Sequence, residues 1–315
     1  MRSASTSVPP AHDPKIMREI LQRHLVAPLG MAYQVQKCRI TNKRWRDGSS
    51  GAVHYDVHLE DLTTGDAWSQ IVTGVSYGGI RTRRFWESIR RSAGLAADPA
   101  VRIALRPYAY VPELDLLLQV FPHDHRMPAL AQLIEGPPPE LVSAIAEEFG
   151  PGSWELASWD AETVEYHVDM RAILRLTVSM RETSTGRTSD LQFYAKVYRD
   201  AEEGCRAQKT QHDLHQRAAV LATHLVVAKP VIYAKELHTL VTTAVPGTSL
   251  EEIIGLGRGS VDAVKSAARA VAEFHQLDVD APHRSLTEDM ARLHKSQEFL
   301  ASARPDLAGE VGSMV

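Results

Sequence analysis

The sequence predicts an α+β protein in which a unit of antiparallel strands plus a helix occurs twice, followed by a helical segment. Three observations predict this fold class. Residues 53–59 and 174–180 each alternate apolar and polar side chains, as half-buried strands do. Each run is followed by a Thr-Gly turn, at Gly65 and Gly186, and then by a second strand-like run. From Leu250 onward the apolar residues recur at helical spacing.

The first half of the chain begins with residues 1–13, which are rich in Ser, Pro and Ala and predict a flexible tail. Pro14 begins a helix, and Pro28 ends the apolar pattern of that helix. Strands are predicted over residues 33–40, 53–59, 68–75, 101–110 and 114–121. Helices are predicted over residues 81–93 and 127–134.

The segment Gly136-Pro-Pro-Pro139 is the strongest break in the pattern and predicts an internal boundary. Strands are predicted beyond it over residues 174–180, 191–198, 230–233 and 238–245. Helices are predicted over residues 140–149, 201–225, 250–254, 261–277 and 286–303. The expected organisation is therefore a tail at 1–13, a first unit at 14–136, a second unit at 137–247 and a partial helical lobe at 248–315.

Matched residues in the two halves indicate an internal duplication. The pairs are Val53 with Leu174 at a separation of 121 residues, Pro107 with Pro230 at 123, and Pro122 with Pro246 at 124. Three anchors with so little drift favour a true repeat, with shared hairpin patterning as the alternative. The halves differ at one charged position, because Lys196 of the second half corresponds to Gly74 or Val75 of the first.

Composition excludes several classes of protein. The 315 residues carry a net charge of -4, which gives no nucleic-acid or anionic-membrane footprint. The local basic cluster, Arg81, Arg83, Arg84, Arg90 and Arg91, is interpreted as a solvated helix face. The two cysteines are far apart and predict no disulfide framework. Without an apolar run of signal or membrane length, the expected location is the cytoplasm, with no nucleic-acid or membrane partner. Composition leaves the oligomeric state open.

Lys196 is the residue most open to a chemical interpretation. It lies in the apolar run Phe-Tyr-Ala-Lys-Val-Tyr, residues 193–198. An ammonium buried there without a partner would cost several kcal/mol, which favours a phosphate or a carboxylate beside it. The alternative is a solvent-facing lysine on an edge strand, where lysine is common.

These segments resemble the aminoglycoside phosphotransferase and choline-kinase-like family of protein-kinase-like phosphotransferases. Residues 193–198 look like the strand-three lysine motif of kinases. Residues 240–254, Leu-Val-Thr-Thr-Ala-Val-Pro-Gly-Thr-Ser-Leu-Glu-Glu-Ile-Ile, resemble the family's hinge and the helix after it. Residues 264–278 resemble the first long helix of its C-terminal lobe. The resemblance covers about residues 150–280 and implies that each repeat is a kinase-like N-lobe, the first one degenerate.

The resemblance also implies ATP and Mg²⁺ as cofactors and a small-molecule hydroxyl as the phosphate acceptor. Lys196 would orient the phosphates, with Asp213 as its acidic partner and Glu202 and Glu203 as alternatives. The adenine would bind the hinge backbone, here Thr242, Thr243, Ala244 and Val245. Because no glycine-rich loop precedes the lysine strand, Arg171 or the backbone of the equivalent turn would contact the phosphates.

The family's His-Gly-Asp catalytic loop and its magnesium-binding Asp have no counterpart in these 315 residues. The expectation is therefore a fragment of a longer phosphotransferase, without assignable catalytic residues. The alternative is a non-catalytic, pseudokinase-like nucleotide-binding or scaffolding protein. His123-Asp-His125 and the pair His212 and His215 lack a convincing third ligand, and no metal site is predicted.

Overall fold

The computed structural model describes residues 10–29, 32–46, 50–92, 105–221, 224–255, 260–279, 285–287, 290–291, 293–294 and 297. The described residues form two five-stranded antiparallel sheets with helices, as the predicted α+β class requires. The first sheet has the strand order β1-β2-β3-β5-β4, and the second has the order β6-β7-β8-β10-β9. The two orders are the same when counted from the first strand of each sheet.

The strands of the first sheet are β1 (Tyr33–Arg46), β2 (Ser50–Asp61), β3 (Ala67–Ser76), β4 (Tyr108–Val111) and β5 (Leu116–Val120). Those of the second sheet are β6 (Trp154–His167), β7 (Arg171–Glu182), β8 (Thr188–Tyr198), β9 (Pro230–Ala234) and β10 (Thr239–Thr243). The helices are α1 (Pro14–Leu21), α2 (Ile80–Ser92), α3 (Ala129–Glu135), α4 (Pro139–Ala146), α5 (Ala201–Leu221), α6 (Leu250–Gly255) and α7 (Ser260–Gln276). In each sheet a helix, α2 or α5, connects the third strand to the fourth.

The strand registers repeat as well as the strand order. Tyr33 pairs with Asp61 across β1 and β2, and Trp154 pairs with Glu182 across β6 and β7, both 121 residues further on. After a short 3-10 turn, Asp115 and His238 both adopt a left-handed conformation with φ of 47°. The two sheets therefore share strand order and much of their register, although the second register shift of β6 lies two residues further along than that of β1.

Each sheet buries one face in its own hydrophobic core, because its strands place apolar residues at every second position. The first core packs β2, β3 and β5 against α1 and the turns that follow α1. The second core packs β7, β8 and β10 against α3 and α4. Apolar residues of this second core begin at Met127, earlier than the boundary expected at residue 136. The helices between the sheets therefore pack with the second one.

Two expectations need correction. The predicted tail is packed at its end, because Ala11 is buried and its carbonyl accepts a 2.7 Å hydrogen bond from Tyr55 Oη. Strand β6 was not predicted at all. One face of the strand packs Trp154, Leu156, Trp159 and Ala161 against the second core. Register shifts between Leu156 and Ser158 and between Thr163 and Glu165 break the alternation that would reveal this face in the sequence.

Several predicted elements were too long. The predicted strand over 101–110 begins only at Tyr108, and its first four residues lie outside the described residues. Helix α5 is described to Leu221, where the prediction ran to residue 225. Most of the predicted helix over 286–303 and all of residues 1–9 lie outside the described residues. Among the described helices, none has the length and apolar character needed to cross a membrane.

Candidate functional site

The face of the second sheet opposite its core carries Lys196. Cross-strand pairs share a face, and Lys196 pairs with Ile173 on β7 and Leu240 on β10. Two residues earlier on the same face, Tyr194 pairs with Arg175 and Thr242. This surface is called the lysine face below, and its residues are Ile173, Arg175, Tyr194, Lys196, Leu240 and Thr242.

Lys196 is half-buried at the bottom of a groove of about 370 Å³ between β8 and α5. Glu203, in the first turn of α5, lines the same groove. Asp213, the predicted acidic partner, is half-buried ten residues further along α5, about 15 Å at the α-helical rise, and does not line the groove. Glu202 is exposed. No ion pair joins Lys196 to another of the residues that the structure describes.

The predicted hinge spans the end of β10 and the two residues after it. Its last three residues, Thr243, Ala244 and Val245, line a second, larger cavity of about 880 Å³ with Tyr194 and Phe193. Thr242 is buried inside the sheet. The amide of Thr243 donates to the Lys229 carbonyl at 2.9 Å, and that of Ala244 donates to the Gln192 carbonyl at 3.0 Å.

Val245 is the hinge residue that remains open to a ligand. It is 43% exposed, and its amide has no hydrogen-bond partner among the described residues. The two cavities, the lysine groove and the hinge cavity, are separate. They open on the same face of β8, with Lys196 and Tyr194 about 7 Å apart along the strand.

Arg171 stands at the start of β7, directly after the turn that joins it to β6. Its guanidinium is exposed and contacts the Glu165 carboxylate at 3.4 Å. The turn itself, residues 167–170 and called the β6–β7 turn below, does not lie over the lysine groove. Val168 is buried, and the side chain of Asp169 contacts the first sheet.

The corresponding face of the first sheet is closed. Register places Val75 at the position of Lys196, since Val75 pairs with Ala52 and Leu117 where Lys196 pairs with Ile173 and Leu240. This resolves the choice between Gly74 and Val75. The surface is called the matched face below, and its residues are Ala52, His54, Thr73, Val75, Leu117 and Gln119. All of them except the half-buried Ala52 are buried.

Residues of the second sheet cover the matched face. The ring of Tyr166 lies 5.6 Å from that of His54, and both line a cavity of about 430 Å³ between β2 and β6. The Gln119 amide donates to Asp169 Oδ1 at 3.2 Å. The end of β6 and the β6–β7 turn therefore occupy, on the first sheet, the surface that stays open on the second.

Asp124 fixes this turn from the first sheet's side. It is fully buried in the turn after β5, where the sequence has Pro122-His-Asp-His125. Its Oδ1 accepts the Arg126 amide at 2.8 Å. Its Oδ2 accepts the Asp169 amide at 2.9 Å and the Tyr166 hydroxyl at 3.0 Å. One carboxyl thus accepts a backbone hydrogen bond from both sides of the junction.

Asp169 lies beside Asp124 and is largely buried, with 13% of its side chain exposed. Its Oδ2 is hydrogen-bonded to the Tyr77 hydroxyl, and its Oδ1 lies 3.5 Å from His125 Nδ1. Burial, reinforced by the charge of Asp169, raises the pKa of Asp124. Burial also raises the pKa of Asp169, although its hydrogen bonds with Tyr77 and Gln119 act in the opposite direction. Burial also lowers the pKa of His125 to about 4, so this imidazole is neutral at neutral pH.

Asp124, His125 and Asp169 each place a possible ligand atom within 4.8 Å of the others. The hydrogen bonds argue against a metal site. The Asp124 oxygens accept two backbone amides and a hydroxyl, and His125 Nδ1 is 2.9 Å from Gln119 Oε1. A cation would have to displace these donors, so we interpret the cluster as a hydrogen-bonded junction.

Sequence reasoning missed this junction, because it considered His123-Asp-His125 as a metal site and set it aside for want of a third ligand. A partner 45 residues away, Asp169, could not be found by spacing. In the other histidine pair, His215 Nδ1 is 2.9 Å from the Val227 carbonyl and His212 contacts Gln216. Comparisons with protein-family models, with curated proteins and with solved structures gave no match.

Proposed function

We propose that the second sheet with α5 and the hinge is the nucleotide-binding lobe of an ATP-dependent phosphotransferase of the aminoglycoside phosphotransferase type. The observation that carries the proposal is Lys196. This half-buried ammonium lies in the middle of an apolar strand, faces the helix after that strand and has no ion-pair partner among the described residues. An ammonium so placed favours an anionic ligand.

The arrangement around Lys196 supports a nucleotide as that ligand. A phosphoryl-transfer lobe needs a cation for the phosphates, an acid to hold the cation and backbone groups for the adenine. Glu203 shares the groove of Lys196, and we assign it the acidic role in place of Asp213. Val245 offers the open hinge amide beside the larger cavity. The ligand would thus extend from the hinge, past Tyr194, to Lys196.

ATP and Mg²⁺ remain proposals that rest on this arrangement and on the family resemblance. The residues proposed here hold a nucleotide, and none of them is assigned to the transfer of its phosphate. The acceptor, a small-molecule hydroxyl in the family, has no assigned contact either.

A non-catalytic nucleotide-binding protein is the second candidate, and one observation favours it. The Asp169 amide, in the β6–β7 turn, donates to Asp124 and therefore holds this turn on the first sheet. In a phosphotransferase lobe the corresponding turn covers the phosphates. A lobe whose turn is held elsewhere would bind nucleotide without closing over it.

Titration calorimetry with Mg·ATP and with adenosine tests the proposal on wild type and on Lys196→Ala. We expect Lys196→Ala to weaken ATP binding by about 10- to 100-fold, the value of a charge-assisted hydrogen bond, and to leave adenosine binding unchanged. Lys235→Ala is the matched control, because Lys235 is an exposed lysine on the same sheet. Equal ATP affinity in wild type and Lys196→Ala, or no binding in either, would overturn the proposal.

A further inference from the structure

The junction between the sheets brings two buried carboxyls together, and their hydrogen bonds indicate which one carries a proton. Both oxygens of Asp124 accept backbone amides, from Arg126 and Asp169. A backbone amide only donates, so Asp124 acts as the acceptor on both oxygens. This is the hydrogen-bond pattern of an ionised carboxylate.

Asp169 has a different set of partners. Gln119 Oε1 accepts the His125 amide at 2.9 Å, so the Gln119 nitrogen must face Asp169 Oδ1 and donate to it. The other oxygen, Oδ2, is bonded to the Tyr77 hydroxyl, which can donate or accept. Oδ2 is therefore the one carboxyl oxygen of the pair that is free to carry a proton and donate it.

We propose that Asp124 and Asp169 form a one-proton latch, with the proton on Asp169 Oδ2, that holds the β6–β7 turn on the matched face of the first sheet. When the proton leaves for solvent, two adjacent buried carboxylates remain and repel each other. The turn is then released from Asp124, while each sheet keeps its own core.

Other charged and titratable groups around the pair modulate the latch without replacing the proton. The Arg126 guanidinium lies over the rings of Tyr77 and Phe85, at 5.9 and 4.9 Å from their centroids, and favours the ionised form of Asp169. Arg199 acts in the same direction. The remaining titratable groups that face the pair are His125, Tyr77, Tyr108 and Tyr166, and burial keeps all four uncharged at neutral pH.

The sign of the pH dependence follows from these protons. An undocked Asp169 would ionise near its ordinary pKa of about 4, whereas the docked one keeps its proton to higher pH. Through Asp169 alone, the docked state therefore binds one more proton than the undocked state above about pH 4, so rising pH favours release of the turn. The effect ends once Asp169 ionises in the docked state too. His54 and His125, whose pKa values burial lowers to about 4, act in the opposite direction below about pH 6.5.

The latch stands independently of the proposed function, although it bears on it. If the second sheet binds a nucleotide, the latch decides whether the β6–β7 turn stays on the first sheet or becomes available to the phosphates. Its test therefore uses the protein without nucleotide, so that a failed latch and a failed nucleotide site give different results.

Amide hydrogen exchange of the β6–β7 turn, corrected for the intrinsic exchange rate at each pH, measures docking directly. We expect wild-type protection to fall with rising pH relative to that of Asp169→Asn, in which the titrations of His54 and His125 remain. Asp169→Asn keeps an amide that can accept from Gln119 and donate to Tyr77, so it should retain protection and lose only the part of the pH dependence that Asp169 contributes. In Asp124→Asn the side-chain NH2 group faces one of the two backbone amides, and two donors cannot bond each other. The β6–β7 turn should therefore lose protection by about 10- to 100-fold at every pH.

Infrared difference spectroscopy adds a readout that does not depend on docking. Wild type should show the carbonyl band of a protonated carboxylic acid at pH values above the ordinary aspartic acid pKa of about 4, and Asp169→Asn should lack it. Asp190→Asn is the control, because Asp190 bonds Ser179 on the surface far along the second sheet, and it should change neither measurement. The same pH dependence in wild type and Asp169→Asn, equal loss of protection in Asp124→Asn and Asp169→Asn, or a missing band in wild type would overturn the latch.

Discussion

The lysine face of the second sheet and the matched face of the first sheet have the same strand order and register, yet opposite surroundings. On the second sheet Leu240 and Thr242 are buried, but the other four residues of the face, Lys196 among them, are half-buried, and the face borders two cavities. On the first sheet the face carries Val75, and the end of β6 covers it. The charged residue, Lys196, therefore lies on the more exposed face, and the apolar residue, Val75, lies on the covered face.

This difference shows how one architecture serves two purposes. A sheet with one face in its core still has a second face that must be solvated, covered or occupied by a ligand. The first sheet uses its second face to hold the neighbouring unit. On the second sheet Lys196 borders a groove, and its charge is tolerated there because a ligand or water can reach it.

Substitutions that exchange Val75 and Lys196 between the two faces are expected to have the largest effect on stability. Val75→Lys puts an ammonium into a site that is 5% exposed, which should cost about 3 to 5 kcal/mol of unfolding free energy. Lys196→Val, on the open face, should change stability by less than about 1 kcal/mol. Urea unfolding of both variants measures the difference. Similar losses in the two variants would break the comparison between the faces.

The core-facing neighbours of these residues differ by one methyl group. Gly74 of the first sheet corresponds to Ala195 of the second, and a Cβ at Gly74 would lie 2.8 Å from Leu116 Cδ2. Gly74→Ala should therefore overpack the first core and cost up to about 3 kcal/mol. Ala195→Gly should cost about 1 kcal/mol, through chain entropy in the strand. Thermal unfolding monitored by calorimetry measures both, and a neutral Gly74→Ala would contradict the packing described here.

Acidification should weaken the contact between the sheets through His54, which is buried on the matched face. Burial lowers its pKa to about 4, so the folded state disfavours the proton that the unfolded chain binds near pH 6.5. Stability should fall as pH drops between these values, by about 2 kcal/mol between pH 7 and pH 5 from His54 alone. His54→Phe should remove that part and leave the contribution of His125. Unfolding curves at both pH values check this, and an unchanged pH slope would contradict it.

Substitutions at the outer edges of the two sheets, β1 and β6, are expected to have the smallest effect on stability. Gln22 caps the edge of β1, donating to the Tyr33 carbonyl at 3.1 Å and accepting the Val35 amide at 2.7 Å. Gln22→Ala should cost about 1 kcal/mol and increase exchange of the Val35 amide. On β6 the corresponding edge contact is Trp159 Nε1 to the Leu133 carbonyl at 2.8 Å, and Trp159→Phe should cost a similar amount. Faster exchange of Val35 in Trp159→Phe would show that the edges are not independent.

Much of this architecture could be predicted from sequence, because alternation reports a half-buried strand directly. Strands β7 and β8 alternate along most of their length, β2 and β3 along part of theirs, and the four predicted runs lie within these strands, up to three residues short at an end. Strand β6 was not predicted, since its two bulges change which positions face the core and leave no constant period. The repeat was detectable from turn glycines and prolines, because these residues meet the same backbone φ requirements at matching positions in both halves.

The candidate site was only partly predictable. Lys196 stood out as a charge within an apolar strand, and its groove supports that choice without testing its ligand. Its acidic neighbour could not be selected by spacing alone, because helix α5 offers Glu202, Glu203 and Asp213 and only the packing angle of the helix decides among them. The Asp124–Asp169 junction depends on how two units dock, which the pattern within one unit does not report.

The covering of the matched face by the end of β6 has a consequence for dissecting the protein into fragments. A fragment that stops before β6 would leave His54 and Phe121 without the Tyr166 ring and Asp124 without its Asp169 and Tyr166 partners. Such a fragment would expose part of the matched face to water and should self-associate. The similarity of the two sheets therefore does not mark a place where the polypeptide can be divided, because the second sheet covers part of the first.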